Sequence, residues 1–171
     1  MRPEDLAWVA GLLEGEGSFM IRTNGTPKIQ CQMTDEDVIL KLQAMCGGNV
    51  YFSERTVEQK EKKWKDTWSW IIQGKDASDL MKLLLPLMGE RRSQKIRDVL
   101  NAYSSHKDRV DRERNERVDR YIKIAKEYIE TDLTYKTAKE KYNITAPTLA
   151  KYVTIVRQQA PIAEMVLAPD S

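Results

Sequence analysis

The sequence has one histidine and two cysteines, which limits the metal and redox chemistry open to it. Cys31 and Cys46 form no CxxC pair, and His106 is the only imidazole, so a zinc site of cysteine and histidine ligands is excluded. We expect both cysteines to be reduced thiols. No stretch approaches the ~20 apolar residues of a membrane span, and the N-terminus has no signal-peptide pattern. We therefore expect no membrane partner and a cytoplasmic location.

An excess of charge of either sign is also absent, because 28 Lys and Arg face 26 Asp and Glu, for a net charge of +2. A surface for nucleic acid must therefore come from local segregation of charge. The 171 residues, 41% of them hydrophobic, are enough for one domain of ordinary size and a small second unit.

The spacing of apolar residues predicts an α+β chain. Residues 4–14 predict a helix, and Gly15 and Gly17 are expected to end it. Alternation predicts a hairpin, and then two further strands on either side of a polar connection. Thr34 or Asp35 is expected to cap the helix between the strand pairs. Up to about residue 105 the predicted order is α-β-β-α-β-β-α-α, from the segments "SFMIRT", "KIQCQMT", "TDEDVILKLQAMCGG", "NVYFSERT", "KWKDTWSWIIQG", "KDASDLMKLLLPLM" and "ERRSQKIRDVLNAYSS".

The remaining chain reads as a charged linker helix over residues 106–118 and a helical region over 119–171. In the latter, Ala138 and Ile144 occupy the tight position and the turn of a helix-turn-helix pattern. Its second helix is expected to begin near Thr145 and to present Thr148 and Lys151 to the major groove of DNA. The alternative is a helical hairpin that only packs on the first domain.

One stretch, "WVAGLLEGEGSF" from Trp8 to Phe19, places two glutamates at the end of a small, apolar, glycine-bearing face. It resembles the signature of the LAGLIDADG homing endonucleases, in the single-motif "GLxEGEGSF" form of phage-type members. The resemblance implies a phage or bacterial host cell, or an organelle, as the setting. The resemblance covers residues 4–105. It implies an αββαββα fold with a saddle-shaped antiparallel sheet, followed here by the helix-turn-helix-like region.

The composition of this stretch is typical of a helix that packs closely against a copy of itself, because small residues let two backbones approach. The predicted dimer interface consists of Leu6, Val9, Ala10, Gly11 and Leu13. Two such helices packed in parallel would bring two Glu16 carboxylates together. Since like charges repel unless a cation lies between them, we expect Mg²⁺, for which Mn²⁺ can substitute.

The resemblance assigns further roles. Glu16 corresponds to the essential metal-binding acid, with Gly15 beside it as a second metal contact, and Glu14 to an acid that caps or orients. Asp35 matches a polar position near the metals. Arg91 or Arg92, with Lys95 as a third candidate, falls where the family contacts the cleaved phosphate. The resemblance also implies a homodimer that cuts both strands of a long, near-palindromic DNA target across the minor groove and leaves short 3′ overhangs, with no small-molecule substrate.

Alternation along the strands divides their side chains between two faces of a sheet. The core face is predicted to hold Phe19, Ile21, Ile29, Cys31, Met33, Tyr51 or Phe52, Trp68, Trp70 and Ile72. The opposite face is rich in side chains that can hydrogen-bond base edges in the major groove. Its predicted DNA-binding residues are Ser18, Met20, Arg22, Asn24, Lys28, Gln30, Gln32, Ser53, Arg55, Lys65, Thr67 and Ser69.

Two other functions fit the same sequence. One is a DNA-binding transcriptional regulator that keeps the scaffold without cleaving, and the other is an RNA maturase. Retention of Glu14 and Glu16 favours cleavage, because a scaffold without activity has no electrostatic reason to hold an acid at an interface. The nearly neutral composition argues weakly against the maturase.

Overall fold

The computed structural model describes residues 1–131 and 133–166, without the side chains of residues 60 and 159–166. The elements, in chain order, are α1 (Pro3–Glu16), β1 (Gly17–Ile21), β2 (Pro27–Met33), α2 (Glu36–Cys46), β3 (Asn49–Ser53), α3 (Val57–Glu61), β4 (Thr67–Gln73), α4 (Lys75–Leu84), α5 (Glu90–Glu130), α6 (Tyr135–Tyr142) and α7 (Ala146–Val166). Contacts divide the chain into two compact units, Met1–Asp108 and Arg109–Ser171. The boundary falls within α5, inside the segment predicted to be a charged linker.

Helix α1 is longer than its sequence pattern predicts. It begins at Pro3, whose missing N–H is not needed in a first turn, and continues through Gly15 to Glu16. Gly17 ends the helix in an extended conformation, and its N–H donates to the carbonyl of Leu13. Strand β1 therefore begins immediately after Glu16, which places this acid at the junction of helix and sheet.

The four strands form one antiparallel sheet in the order β1-β2-β4-β3. The register pairs Phe19 with Ile29, Ile29 with Ile72, and Phe52 with Trp68. The predicted α+β fold with four antiparallel strands in one sheet is confirmed, and the predicted order of elements holds except for the additional helix α3 between β3 and β4.

The core of the first unit lies between one face of this sheet and helices α1, α2, α4 and the start of α5. The predicted core face is confirmed: Phe19, Ile29, Cys31, Trp70 and Ile72 are buried, and Ile21, Met33 and Trp68 are half-buried against them. Between Tyr51 and Phe52, Phe52 has the core-face position, since it pairs with Trp68 and their ring centroids are 4.8 Å apart. Tyr51 lies on the opposite face.

Several boundaries differ from the sequence prediction. Strand β3 ends at Ser53 and β4 begins at Thr67, so the connection between them is longer than expected and contains α3. Helix α4 ends at Leu84, and a 3-10 turn follows at Leu85–Leu87, because Pro86 cannot donate a helical hydrogen bond. The basic helix predicted over 90–105 continues as one helix to Glu130.

The second unit has a small core of its own, formed by Ile124, Ala138, Ile144 and Leu149. Thr134 caps α6, its hydroxyl accepting the N–H of Thr137 at 3.3 Å. Asn143 ends α6 in the left-handed conformation with φ of 51°, which asparagine tolerates better than most residues. The two helices are therefore separated by a three-residue turn, and α7 begins one residue after the predicted Thr145.

Across the described residues of both units, no helix has the length and apolar character needed to cross a membrane.

The close approach of Gly17 to the preceding turn generates a prediction about stability. A Cβ at Gly17 would overlap the carbonyl oxygen of Leu13 and lie 2.9 Å from its Cα, so backbone would have to move. We expect Gly17→Ala to lower the free energy of unfolding by about 1–3 kcal/mol, measured by urea denaturation. Ser18→Ala, at the exposed neighbouring position, is expected to change it by less than about 0.5 kcal/mol. Equal midpoints for the two variants would contradict the close approach.

Candidate active site and nucleic-acid interface

The buried side of α1 faces the core of its own unit. Val9 and Leu13 are fully buried and Ala10 is 5% exposed, and Leu6 packs half-buried against the same cluster. The side chains of Val9, Ala10 and Leu13 are thus occupied within their own unit. Of the five residues predicted for the dimer interface, Gly11 is the one that lies on the exposed side of the helix.

The exposed side of α1 carries a stripe of small residues, Ala7, Gly11 and Gly15, spaced one turn apart. A Cβ added at Gly11 or at Gly15 would meet nothing within 4 Å. Glycine in a helix costs about 1 kcal/mol relative to alanine, and the described residues offer no steric reason for either one. Gly17 differs in this respect, because packing within the chain requires it.

Glu14 contacts the segment that leads into α5. Its Oε2 accepts the backbone N–H of Gly89 at 3.0 Å, directly before the helix begins at Glu90. A carboxylate at this place satisfies a donor that has no intrahelical partner and interacts favourably with the helix dipole. The contact is of the capping kind that the sequence suggested for Glu14.

Arg92, in the first turn of α5, donates hydrogen bonds to the end of α1. Its Nε donates to the carbonyl of Glu14 at 3.0 Å, and its Nη2 donates to the carbonyl of Gly15 at 3.3 Å. The last carbonyls of a helix have no intrahelical donor, so a guanidinium there satisfies them and offsets the negative end of the helix dipole. Arg92 is thus a positioning residue for the end of α1, and it occupies a lone pair of the Gly15 carbonyl that was predicted to contact metal.

Glu16 is exposed, and no hydrogen bond or ion pair to its carboxylate is found among the described residues. Its charge affects a buried thiol. The pKa of the Cys31 thiol is raised to about 11, mainly by burial and to a smaller extent by the negative charge of Glu16. Burial likewise raises the pKa of the Cys46 thiol to about 11. Both cysteines are free thiols, as expected, and stay protonated at neutral pH.

Gln32 is the polar strand residue beside Glu16. Gly17 of β1 pairs with Cys31 of β2. Because the two strands are antiparallel, Glu16, which precedes Gly17, and Gln32, which follows Cys31, lie at the same end of this pair. The Nε2 of Gln32 donates to the hydroxyl of Thr67 at 2.9 Å. The sequence analysis assigned Gln32 to DNA contact only. It could not place Gln32 near Glu16, because that requires the register between β1 and β2.

The other predicted catalytic residues are spread over two helices. Asp35 precedes α2 as its N-cap, is exposed, and makes no side-chain capping bond. Arg91 and Lys95 are exposed on α5, where they line a surface depression with Glu90, Arg92, Gln94 and Asp98. Within the described part of the chain no three His, Cys, Asp or Glu residues gather into a possible metal site. Of the two carboxylates in the last turn of α1, Glu14 is engaged with Gly89, and Glu16 has no partner among the described residues.

Most of the predicted DNA-binding residues share the sheet face opposite the core. Register pairs Ser18 with Gln30, Met20 with Lys28, Gln32 with Ser69, and Ser53 with Thr67. Ser18, Gln32 and Ser53 are exposed, whereas Met20, Lys28, Gln30 and Ser69 are half-buried. Thr67 is an exception, being only 6% exposed, so it is poorly placed to contact a ligand.

The same face includes residues that sequence reasoning missed. Asn49, Tyr51, Ile71 and Gln73 lie on it by register. Gln73 accepts a hydrogen bond from Nη1 of Arg22 at 2.9 Å, and together with Met20, Ile21, Thr23, Lys28, Tyr51 and Ile71 these two line a surface groove. The alternation of β4 was the signal for Ile71 and Gln73, which continue the series begun by Thr67 and Ser69.

Four predicted residues of the first unit lie outside the strands, and the first of them, Arg22, directly follows β1. Asn24 is in the β1–β2 turn, where its Oδ1 accepts the N–H of Thr26 at 3.2 Å. Arg55 and Lys65 belong to the β3–β4 connection, and the Nε of Arg55 donates to the carbonyl of Lys65 at 2.9 Å. Their assignment to the sheet face was wrong, because both strands are shorter than alternation suggested.

In the second unit, Thr148 and Lys151 lie in the first turns of α7. Lys151 is exposed, whereas Thr148 is half-buried and its hydroxyl is 2.8 Å from that of Thr145. Lys151 is therefore the more accessible of the two predicted contacts.

The double contact of Arg92 leads to a testable consequence. Removing it leaves two helix-end carbonyls without a donor, and hydrogen bonds from charged groups are worth about 1.5–3 kcal/mol. We expect Arg92→Ala to destabilise the chain by about that amount in urea unfolding. Arg91→Ala removes the same charge from the exposed neighbouring position and is expected to have an effect within about 0.5 kcal/mol. Similar losses in both variants would show that charge, and not the carbonyl contacts, matters here.

No family model matches the sequence, and no curated protein matches it. Among solved structures, the chain is similar to the homing endonuclease I-CvuI in complex with its target (Sro1.3) in the presence of Ca, with 15% identity, a TM-score of 0.48, and coverage of 91% of this chain and 98% of that one. A second structure of I-CvuI, in complex with the I-CreI target in the presence of Mg and with the DNA not cleaved, matches with 14% identity, a TM-score of 0.47 and the same coverage.

Proposed function

We propose that the chain is a site-specific DNA endonuclease of the homing endonuclease type that acts as a homodimer. One observation carries the proposal: the exposed side of α1 has two glycines, Gly11 and Gly15, that no described residue requires for steric reasons, and it ends on Glu16, which has no partner among the described residues. Both features are explained together if a second copy of α1 packs on that side.

The dimer follows from the geometry of α1. Two copies packed through Ala7, Gly11 and Gly15 can approach closely, because no side chain beyond a methyl group separates the backbones. Trp8 and Leu12 flank this stripe; both pack half-buried against the core of their own unit, and their exposed parts would add apolar contact to a second copy. A two-fold axis running along the helix pair makes the interface self-complementary and brings both copies of Glu16 to one end.

The donor set at that end fits a divalent cation. Each chain offers an exposed carboxylate from Glu16, and two of them together provide hard oxygen ligands, which Mg²⁺ or Mn²⁺ prefers. The second lone pair of the Gly15 carbonyl remains for the ion, since Arg92 uses one. When bound, such an ion would stabilise charge on the scissile phosphate and activate a water for hydrolysis.

Residues around Glu16 hold the site in place. Glu14 and Arg92 tie the end of α1 to the beginning of α5, so they act as positioning residues. Arg91 and Lys95 are exposed on α5 and remain candidates for contact with the cleaved phosphate, and Asp35 remains a candidate for ordering water near it. Arg92 is less suited to phosphate contact, because its guanidinium is already engaged.

The polar face of the sheet supports recognition of DNA. Gln30, Gln32 and Lys28 carry amide and cationic groups that pair with base edges, and they lie on one face of the antiparallel sheet. Arg22 adds a cation directly after β1. In a homodimer each copy would read one half of a long, near-palindromic target. A transcriptional regulator would use the same face and the helix-turn-helix-like α6 and α7, so cleavage is the property that distinguishes the two functions.

The decisive change is Glu16→Gln, which keeps the shape of the side chain and removes its charge. We expect wild-type protein with Mg²⁺ to cut both strands of its target within a plasmid library of random inserts, and the variant to cut at least about 100-fold more slowly. Sequencing of the cleaved ends measures both the rate and the overhang. Glu4→Gln makes the same change at the exposed first turn of α1 and is expected to cleave like wild type. Binding of duplex DNA without cutting by the wild type would favour the regulator.

The dimer can be tested at Gly11. A leucine there meets no obstacle among the described residues, so we expect Gly11→Leu to fold as a monomer, with its circular dichroism spectrum unchanged. In a packed pair it would separate the helices, and we expect sedimentation to show a monomer where the wild type is a dimer. Ala102→Leu makes a comparable enlargement at an exposed site of α5 and should remain dimeric. A Gly11→Leu dimer of wild-type affinity would rule out this face of α1 as the interface.

A further inference from the structure

The second unit has a groove between the part of α5 that follows residue 109 and the beginning of α7. Its lining residues are Arg114, Arg117, Val118 and Tyr121 from α5, and Pro147, Thr148, Lys151 and Tyr152 from α7. Three of these eight side chains are cationic and none is acidic, although α5 as a whole alternates charges of both signs. The groove therefore concentrates positive charge that the net charge of the chain does not reveal.

The cations of the groove are not engaged elsewhere in the part of the chain that the structure describes. Of Arg114, Arg117 and Lys151, only Lys151 has a contact of its own, with its Nζ 5.6 Å from the ring centroid of Tyr152. Glu113 lies one helical turn before Arg117, yet no ion pair joins them there. By contrast, Lys141 pairs with Glu127 at 2.7 Å in the same unit. Unpaired cations that converge on a groove favour an anionic ligand.

The groove rests on a packed base. The rings of Tyr121 and Tyr152 pack against each other with centroids 5.1 Å apart and planes inclined by 40°. Tyr121 also packs on the small core that Ile124 and Leu149 help to form. This packing connects α5 to α7 within the unit and fixes the spacing of the arginines relative to Lys151.

The charge on α7 matches that of the groove. From Ala146 to Gln158 the helix has two cations, Lys151 and Arg157, and no acid. Its N-terminal turn, which forms one wall of the groove, adds the positive end of the helix dipole. Acidic side chains or a negative helix end at this wall would repel a phosphate, and neither is present among the described residues.

We propose that this groove is a phosphate-backbone site for duplex DNA, in which Arg114 and Arg117 of α5 and Lys151 of α7 contact phosphates. The segment 106–118, which the sequence predicts to be a charged linker, then binds DNA through Arg114 and Arg117 near its C-terminal end. The helix-turn-helix arrangement of α6 and α7 favours a duplex, since such a motif places its second helix in the major groove while neighbouring cations hold the flanking strand. The proposal rests on the proposed function only in naming DNA as the partner, and it does not require cleavage.

The test uses the slope of binding affinity against salt concentration. Each phosphate neutralised on a duplex contributes about 0.9 to the slope of log K against log salt. We expect full-length Arg114→Ala/Arg117→Ala protein, titrated by fluorescence anisotropy against a mixed-sequence 40-base-pair duplex over a series of KCl concentrations, to lose about two units of slope, and the triple variant with Lys151→Ala about three. The matched control is Arg112→Ala/Lys126→Ala, which removes the same charge from exposed positions of α5 outside the groove.

The outcomes separate the possibilities. A shallower slope in the groove variants and a wild-type slope in the control would support the site. An equal loss in both double variants would indicate general charge, and an unchanged slope would indicate no contact; either result overturns the proposal. Tighter binding of an RNA hairpin than of the duplex would overturn it as well. The same titration on Glu16→Gln distinguishes the proposed endonuclease activity from the proposed phosphate site. A variant that no longer cleaves but keeps the wild-type salt slope shows that the groove binds DNA independently of cleavage.

Discussion

The exchange of contacts between the end of α1 and the beginning of α5 holds the candidate site together. Arg92 donates to the carbonyls of Glu14 and Gly15, while the carboxylate of Glu14 accepts the N–H of Gly89. Each helix end supplies groups that the other lacks, since the C-terminal carbonyls of α1 need donors and the N-terminal amides of α5 need acceptors. The position of Glu16, one residue further along, depends on this exchange.

Three glycines around Glu16 have different physical roles. Gly17 is required inside the chain, because a Cβ there would overlap the preceding turn. Gly11 and Gly15 face open space and weaken an isolated helix without any benefit to its own unit. A residue that costs stability where it stands is most simply explained by a contact outside the chain, and this reasoning connects α1 to the proposed dimer.

The near balance of charge conceals two separate surfaces. On the first unit, the sheet face opposite the core carries mainly neutral hydrogen-bonding groups with a few cations such as Lys28 and Arg22. On the second unit, the groove of Arg114, Arg117 and Lys151 is cationic and free of acids. Amide groups suit the reading of base edges, whereas cations without acidic neighbours suit the phosphate backbone. Each unit thus has the chemistry for one part of a DNA contact.

The sequence by itself determined the two faces of the sheet and, apart from α3, the order of elements, because a strand repeats every two residues, a helix every 3.6, and both periods are local properties of the backbone. It pointed to the end of α1 as the candidate site through the resemblance of residues 8–19 to a known signature. It could not decide which side of α1 is buried, since Val9, Ala10 and Leu13 on one side and Ala7, Gly11 and Gly15 on the other are all small or apolar. Nor could it show that Arg92 holds helix-end carbonyls, that Arg55 and Lys65 lie beyond the strands, or that Arg114 and Arg117 border α7. Only the tertiary structure decided these points, because they depend on contacts between distant segments, such as the 78 residues from Glu14 to Arg92, that no local period encodes.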